Sequence, residues 1–486
     1  MNIAFKRNSG RLPALQNLSR VACLALICLL SACGGGSDAN IPGFAGPPPV
    51  VIVPPPPGPV LPPATAKSWC GARQIQTLLN SSDAEDTQVS LGQNGSAMVV
   101  WNQRNDGFTS IRARRYSQTS SWGDENVISD FVSGTSAFGQ QISSDSNGNM
   151  MSVWQQGSSI WASRFTTTGG WGTPLNIESG SGSASSPQLT TDANGNVMAV
   201  WSQTDGANFS IWANRFTPAA GWGTAQLIET DDMGSAQSPR LVSDSSGNVM
   251  AVWQQRSGIR FDIWANRFTP TGGWGTAQLI ETDNSGNAQN PRLGVTASGH
   301  VVAAWLLYNG TQTVLSTNRY TPGAGWGTAT QIPTGAVEVN DGAFTVDSNG
   351  HVLAVWNQRD TLGSLYSMWS VRFDAVAGWG SAQLIETDNI STVSSPRIAS
   401  DGHGNSIVIW IQSGSSGYQV KTNRYTAGSG WGSTQSLEGS TSYAAYAGLA
   451  VDIAGNAMAV WSQEDGGEGP KRVWANAYAS TCPVAP

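Results

Sequence analysis

The chain has 486 residues, of which only 12% are charged, while glycine contributes 57 residues and tryptophan 21. This composition excludes a helical bundle and is typical of an all-β repeat protein with many tight turns. Residues 1–32 contain four basic side chains and no acidic one, so the remainder carries 21 basic and 32 acidic residues, a net charge of −11. A protein this acidic is not expected to bind nucleic acid or anionic lipid surfaces.

The first 32 residues have the organisation of an export signal. Four basic residues precede an apolar run over 21–30, which is too short to span a bilayer as a helix. The run ends in Leu30-Ser31-Ala32-Cys33, which resembles the lipobox of bacterial lipoproteins. The resemblance implies cleavage before Cys33 and attachment of lipid, including palmitate, to that cysteine. Because Gly34 follows instead of aspartate, it further implies anchoring in the outer membrane, facing the periplasm or the cell surface. An ordinary signal peptide is the alternative.

Proline dominates the segment that follows Cys33. Residues 41–66 read IPGFAGPPPVVIVPPPPGPVLPPATA, and proline at this density supports neither a helix interior nor a sheet. The segment predicts a semi-rigid polyproline-II spacer that extends roughly 3 Å per residue. We therefore divide the chain into a signal peptide (1–32), a lipid-anchored linker (33–66) and a folded domain (67–486), with the lipid as the only membrane contact.

The folded domain is built from one repeated unit, of which residues 239–282 are the clearest copy. The unit predicts strands over 239–243, 249–255, 262–268 and 274–281, separated by turns that contain Asp, Gly and Pro. Four short strands at this period are typical of one blade of a propeller.

Tryptophan gives the number of blades. The second strand of each unit carries one, at Trp101, Trp154, Trp201, Trp253, Trp305, Trp356, Trp410 and Trp461. Only seven units carry the fourth-strand Trp-Gly motif, and residues 69–77 match the missing eighth copy. The sequence therefore predicts an eight-bladed β-propeller of four-stranded antiparallel blades. An N-terminal strand completes the last blade and resembles the velcro closure of known propellers. A seven-bladed ring with one aberrant unit is the alternative.

The five cysteines separate by position. Two leave with the signal peptide and Cys33 is the predicted lipid anchor, which leaves Cys70 and Cys482 at opposite ends of the domain. An exported compartment permits a disulfide between them, and closure of the ring would make them neighbours. A zinc site would need further ligands, and the three histidines lie far from both cysteines in sequence. We expect no metal and no cofactor.

Candidate binding residues lie where the copies differ, in the loops between strands 2 and 3 and in the connections between blades. Arginine opens the first predicted strand at Arg240, Arg292 and Arg397, where other units have Gln88, Gln141 and Gln188. Aromatic residues precede the third strand at Phe209, Phe261, Tyr366 and Tyr418. Glutamines follow the second-strand tryptophan at Gln103, Gln156, Gln203, Gln255, Gln358, Gln412 and Gln463. Such groups suit carbohydrate, peptide or polyanionic ligands. Blade-to-blade hydrogen bonding and loop packing are the alternatives.

No nucleophile–base motif is visible, and we predict no catalytic residue. The turn between strands 1 and 2 bears a loose resemblance to the Asp-box of sialidases, with different spacings. Sialidases also require an arginine cluster, which Arg240, Arg292 and Arg397 could supply, and a Tyr–Glu pair, which the sequence does not assign.

Our hypothesis is an exported, lipid-anchored, monomeric propeller that acts as a binding or scaffold module. It would recognise a glycan or a partner protein through its variable loops, using repeated weak sites rather than one elaborate site. A sialidase-like glycosidase or lyase is the alternative.

Overall fold

The structure is a computed structural model. It describes residues 66–77, 82–92, 95–105, 107–129, 134–204, 206–230, 234–283, 286–336, 338–361, 363–387, 391–414, 417–438, 443–464 and 469–482. The predicted signal peptide, the lipidation site Cys33 and the linker as far as residue 65 lie outside these residues.

The described residues form eight antiparallel sheets, which we call blades 1 to 8 in the chain order of their first strands. The first strands are Ala84–Leu91, Ala137–Ser144, Ala184–Thr191, Ala236–Ser243, Asn287–Val295, Glu338–Val346, Val393–Ser400 and Ala444–Val451. The second strands are Ala97–Asn105, Met150–Gln156, Val197–Thr204, Val249–Ser257, Val301–Tyr308, Val352–Arg359, Ser406–Gly414 and Ala457–Glu464.

The third strands are Phe108–Ser117, Ser159–Thr166, Phe209–Thr217, Arg260–Thr269, Thr313–Thr321, Ser367–Asp374, Gly417–Thr426 and Lys471–Ala479. The fourth strand is continuous in blade 1, at Ser121–Val127. In the other blades it is two short pieces: Gly170–Trp171 and Leu175–Asn176, Gly221–Trp222 and Gln226–Leu227, Gly273–Trp274 and Gln278–Leu279, Gly325–Trp326 and Thr330–Gln331, Gly378–Trp379 and Gln383–Leu384, Gly430–Trp431 and Gln435–Ser436, and, in blade 8, Ser68–Trp69 and Arg73–Gln74.

The blades close into a ring around a central channel. The first strands of neighbouring blades contact one another from blade 1 to blade 8 and back to blade 1, so the first strands line the channel. Because consecutive strands are antiparallel, the 1–2 and 3–4 turns share one face of the ring. The 2–3 loops and the blade-to-blade connections share the other, which we call the variable face.

The N-terminal end of the domain completes blade 8. Ser68–Trp69 and Arg73–Gln74 both pair with Lys471–Ala479, and Cys70 forms a disulfide with Cys482 at a Cα–Cα distance of 5.3 Å. The predictions of eight blades, N-terminal closure and a Cys70–Cys482 disulfide are confirmed, and the seven-bladed alternative is wrong. Closure also removes the exposed sheet edges that an open array would present.

The first strand begins earlier than predicted. In blade 4 it starts at Ala236 instead of Pro239, and its register shifts between Gln237 and Arg240. Ser238 lies at this bulge with a φ of 54°. Corresponding bulges occur in the other first strands, with a different register in blade 6. Arg240 and its counterparts therefore lie inside the first strand, after a bulge that turns the chain.

The core lies between the blades. Trp253 is fully buried and packs with Met198 and Val200 of blade 3, whereas Met250 and Val252 of the same strand pack toward blade 5. Alternate side chains of a strand point to opposite faces, and here both faces are covered by a neighbouring blade. This explains why the second strands are largely apolar, and it shows that their tryptophans pack in the core.

Side-chain hydrogen bonds from one third-strand position tie blades 1, 3, 4, 5, 7 and 8 to the blade before each of them. In blade 4, Asn266 Nδ2 donates to the carbonyl of Ile228 in blade 3 at 2.7 Å and to that of Gly275, at the break in its own fourth strand, at 3.0 Å. Blades 3 and 5 repeat both bonds. In blade 1, Arg114 replaces the asparagine and donates to Ile75 of the closing segment. The closing junction therefore has the same kind of link as the others.

An aspartate organises most of the turns between strands 1 and 2. Asp244 Oδ1 accepts the backbone N–H groups of Ser246 and Asn248 at 2.9 Å each, and its Oδ2 accepts Asn248 Nδ2 at 2.8 Å. Gly247 supplies the positive φ, 76°, that the turn requires. The prediction that these aspartates are turn residues is confirmed.

Candidate functional site

Each first strand has an equivalent position three residues before its last residue, on a strand that lines the channel. We call this set of residues the channel ring; it consists of Gln88, Gln141, Gln188, Arg240, Arg292, Ala343, Arg397 and Gly448. Blades 1 to 3 contribute amides, blades 4, 5 and 7 contribute guanidinium groups, and blades 6 and 8 contribute no polar side chain. Although the units are similar, the channel ring therefore has neutral amides on one side and positively charged groups on the other.

The three arginines belong to strands that line one channel. Burial, followed by the charges of Arg292 and Arg397, lowers the pKa of Arg240 to about 10. Arg397 lies three blades further round the ring than Arg240, and the first strands that carry the two residues line the same channel. Each Nη1 donates to the carbonyl of the preceding proline, at 2.9 Å for Arg240, 3.3 Å for Arg292 and 2.9 Å for Arg397. These bonds fix the side chains while using one of the five donors of each guanidinium.

Two carboxylates lie near the arginines, two residues before the channel ring, a position that is at the bulge in every blade except blade 6, where the bulge lies one residue earlier. We call these positions the bulge ring; they are Asp86, Gly139, Ser186, Ser238, Asn290, Asp341, Ser395 and Tyr446. Asp341 Oδ1 lies 3.7 Å from Arg292 Nη2. Burial and the neighbouring Glu85 raise the pKa of Asp86, against the opposing charge of Arg397. Three guanidiniums against two carboxylates give the opening an excess of positive charge within an acidic protein.

The predicted aromatic residues differ in accessibility. Phe209 and Phe261 are half-buried at the starts of their third strands. Tyr366 is also half-buried, and the Arg359 guanidinium lies 5.4 Å from the centroid of its ring. Tyr418 is 48% exposed. Of the four, Tyr418 is the most open to a ligand on the variable face.

Sequence reasoning missed five further exposed aromatic residues at strand ends. They are Phe108, Phe138, Tyr308, Tyr443 and Tyr446, each 41–50% exposed. Most lie where the copies differ, so the repeat register did not single them out. Tyr446 could have been found, because it occupies a bulge-ring position that holds a small or polar residue in every other blade.

The second-strand glutamines do not belong to this site. Gln255 Oε1 accepts the indole N–H of Trp253 at 2.9 Å, and both side chains are buried. Six other blades make the same bond. Blade 5 has Leu307 at this position, and Trp305 Nε1 has no partner among the described residues. The glutamines therefore satisfy buried indoles and are not ligand-binding groups.

A small cavity lies between blades 5 and 6 beside Arg292. It has a volume of about 20 Å³ and is lined by apolar side chains including Leu315 and Phe344, together with Arg292 and Asp341. A space of this size holds about one water molecule. A sugar or peptide would therefore not fit in this cavity.

A Tyr–Glu pair is present on the variable face of blade 6. The Tyr366 hydroxyl donates to Glu338, whose carboxylate is also ion-paired with Arg359. Burial and the charge of Glu338 raise the pKa of Tyr366. Glu338 therefore accepts the hydrogen bond of the Tyr366 hydroxyl while it is also held by Arg359.

Metal centres and membrane-spanning helices are both absent from the described residues. Across those ranges, no group of three or more His, Cys, Asp or Glu side chains is arranged to hold a metal ion. In the same part of the chain, no helix is long and apolar enough to cross a membrane.

Comparison with known proteins gives weak similarities. No family model matches the chain, and no curated protein matches it. Among solved structures, polysaccharide lyase Uly1 aligns with a TM-score of 0.45 and 9% identity over 84% of this chain and 92% of that chain. NanB sialidase from Streptococcus pneumoniae aligns with a TM-score of 0.37 and 10% identity over 81% and 93%.

A protein of unknown function from Dyadobacter fermentans aligns with a TM-score of 0.41 and 11% identity over 62% of this chain and 96% of that chain. Similarity at this level carries no argument about the function of this chain. A functional proposal therefore has to rest on the channel ring and the variable face.

Proposed function

We propose that this protein is a binding or scaffold module that recognises an anionic glycan at the channel opening. The observation that supports this most directly is that Arg240, Arg292 and Arg397 occupy equivalent positions on first strands that surround one channel. Guanidinium groups donate in a planar fork that matches the two oxygens of a carboxylate or sulfate. Like charges held together repel one another, so an anion placed between them gains from all three.

The proposal is for one composite site. Its charged groups come from blades 4, 5 and 7, while the equivalent positions in blades 1 to 3 are glutamines. Glutamine can hydrogen-bond hydroxyl groups without adding charge. An acidic sugar could therefore place its anionic group toward the arginines and its hydroxyls toward the amides. This differs from the repeated weak sites that the regular sequence favours.

We further propose that the protein is exported and anchored to a membrane as a monomer. The first 32 residues and Cys33 support secretion and lipidation, and the proline-rich segment supports a spacer between the membrane and the propeller. Labelling of cells with an alkyne analogue of palmitate should tag the protein, and Cys33→Ser should abolish the tag. A labelled Cys33→Ser variant would contradict the assignment of this anchor.

The ligand class is tested by a glycan array probed with the purified protein. We expect saturable binding to carboxylated or sulfated glycans, and we expect Arg292→Ala to weaken it strongly. A blank array combined with capture of a defined protein would replace the glycan with a protein partner. Turnover of a glycoside or uronide during the assay would replace the binding role with the alternative of a glycosidase or lyase.

A further inference from the structure

Blade 8 differs from the other blades at the bulge ring. Tyr446 has a φ of 53° there, in the left-handed region of backbone conformation. Glycine and short polar residues tolerate this region, but a bulky side chain is strained in it. The bulge residues of the other blades with positive φ are Asp86, Gly139, Ser186, Ser238, Asn290 and Ser395. Strain of this kind persists where the surrounding structure imposes it, and it concentrates at binding sites.

The Tyr446 side chain is held in place without being buried. Its ring is 46% exposed, and Lys471 Nζ, itself ion-paired with Glu85, lies 5.5 Å from the ring centroid. The Tyr446 carbonyl accepts the Thr87 hydroxyl of blade 1. A Cβ on the nearby Gly448 would lie 3.1 Å from the Thr87 carbonyl oxygen. Blade 8 therefore presents the Tyr446 ring to solvent. Its channel-ring residue, Gly448, adds no side chain beside this ring.

Two further tyrosines extend from Tyr446 toward blade 7. Tyr443 precedes it by three residues, which is roughly 10 Å of extended backbone, and is 44% exposed. The Tyr418 and Tyr443 ring centroids are 5.8 Å apart with the rings tilted by 56°, and the two residues form an isolated β-bridge. We call Tyr418, Tyr443 and Tyr446 the tyrosine row. It leads across the variable face toward the channel, where Arg397 is the channel-ring residue of blade 7.

We infer that the tyrosine row is a stacking track for consecutive sugar rings of an acidic oligosaccharide whose charged group reaches the channel arginines. The inference rests on the proposed function and adds the path that the ligand takes. Exposed tyrosine rings offer flat apolar faces to the C–H groups of a sugar and hydroxyls to its polar groups, with little conformational entropy to lose. The ion pair of Lys471 with Glu85 beside the row can hydrogen-bond sugar hydroxyls, whereas an apolar protein partner would cut both charges off from water.

The test measures affinity by isothermal titration calorimetry with polygalacturonate, chondroitin sulfate and neutral dextran. Tyr446→Ser introduces the residue that three other blades carry at this bulge, so the variant should fold at least as well as the parent. Tyr446→Phe keeps the ring, and Tyr308→Ser removes a tyrosine of equal exposure that lies in blade 5. Thermal denaturation of each variant verifies the fold.

We expect Tyr446→Ser and Tyr443→Ser each to raise the Kd for the bound acidic polysaccharide by about threefold to tenfold. Tyr446→Phe and Tyr308→Ser should bind like the parent. If Arg292→Ala loses binding while Tyr446→Ser binds like the parent, the stacking track is refuted and the proposed anionic site stands. If the parent binds none of the three polysaccharides and the array is also blank, both the proposed glycan function and the track are refuted.

Discussion

The disulfide that closes the ring should contribute measurably to stability. It joins residues 412 positions apart, for which the chain-entropy relation gives about 6 kcal/mol at 25 °C. The closing strand also has non-covalent contacts, because Ile75 is fully buried and Trp69 packs on Tyr478 with ring centroids 5.3 Å apart. These contacts persist in the reduced protein. We therefore expect removal of the disulfide to lower the free energy of unfolding by an amount nearer the usual range of about 2–4 kcal/mol.

Calorimetry of the double variant Cys70→Ser/Cys482→Ser measures this loss. With an unfolding entropy of about 2.1 cal/mol/K per residue, a domain of this length loses roughly 1 °C of Tm per kcal/mol, so Tm should fall by about 2–5 °C. Reductant should lower the Tm of the parent by the same amount and leave the double variant unchanged. Hydrogen exchange should also accelerate over residues 67–77. A double variant with the Tm and exchange of the parent would show that the disulfide does not stabilise the closed ring.

Two further predictions concern buried polar groups. Gln255→Leu removes the acceptor of Trp253 Nε1 and should lower the free energy of unfolding by about 1–3 kcal/mol in urea denaturation; an unchanged value would show that the bond is dispensable. Glu281 is fully buried, and burial followed by the charge of Asp262 raises its pKa to about 7. Because its folded-state pKa lies above the unfolded value, its contribution to stability is complete below about pH 4.5 and is lost as pH rises through 7. A shift of one pKa unit corresponds to about 1.4 kcal/mol. Between pH 5 and pH 8 the free energy of unfolding of the parent should therefore fall by up to about 3 kcal/mol because of Glu281, and Glu281→Gln should remove this decrease in denaturation experiments at the two pH values.

Much of the fold could be predicted because the chain repeats itself. Each unit places a tryptophan at the same position, so the copies align without ambiguity. The missing fourth strand then appears at Trp69, which brings Cys70 beside Cys482. This inference needs only register and the closure of a ring, and both are encoded in the spacing of identical residues.

The details of the candidate site needed the structure. The bulge before Arg240 is carried by Ser238, and serine gives no sequence signal for a positive φ. Asp341 approaches Arg292 because the bulge of blade 6 has a different register, which a repeat alignment cannot reveal. The second-strand glutamines look like free polar groups in sequence, and only their distance to the indoles shows that they are used inside the core.

The proposed function requires the channel arginines to bind an anionic ligand together. Arg240→Ala/Arg292→Ala/Arg397→Ala removes the cluster, and Arg256→Ala is a matched control because that arginine is exposed and lies outside the channel ring. Titration calorimetry with the highest-affinity acidic glycan from the array compares their Kd values. We expect the triple variant to bind more than about 100-fold more weakly than the parent, since each charged hydrogen bond contributes about 1.5–3 kcal/mol, and Arg256→Ala to bind normally. A triple variant that keeps the affinity of the parent would overturn the proposed anion site.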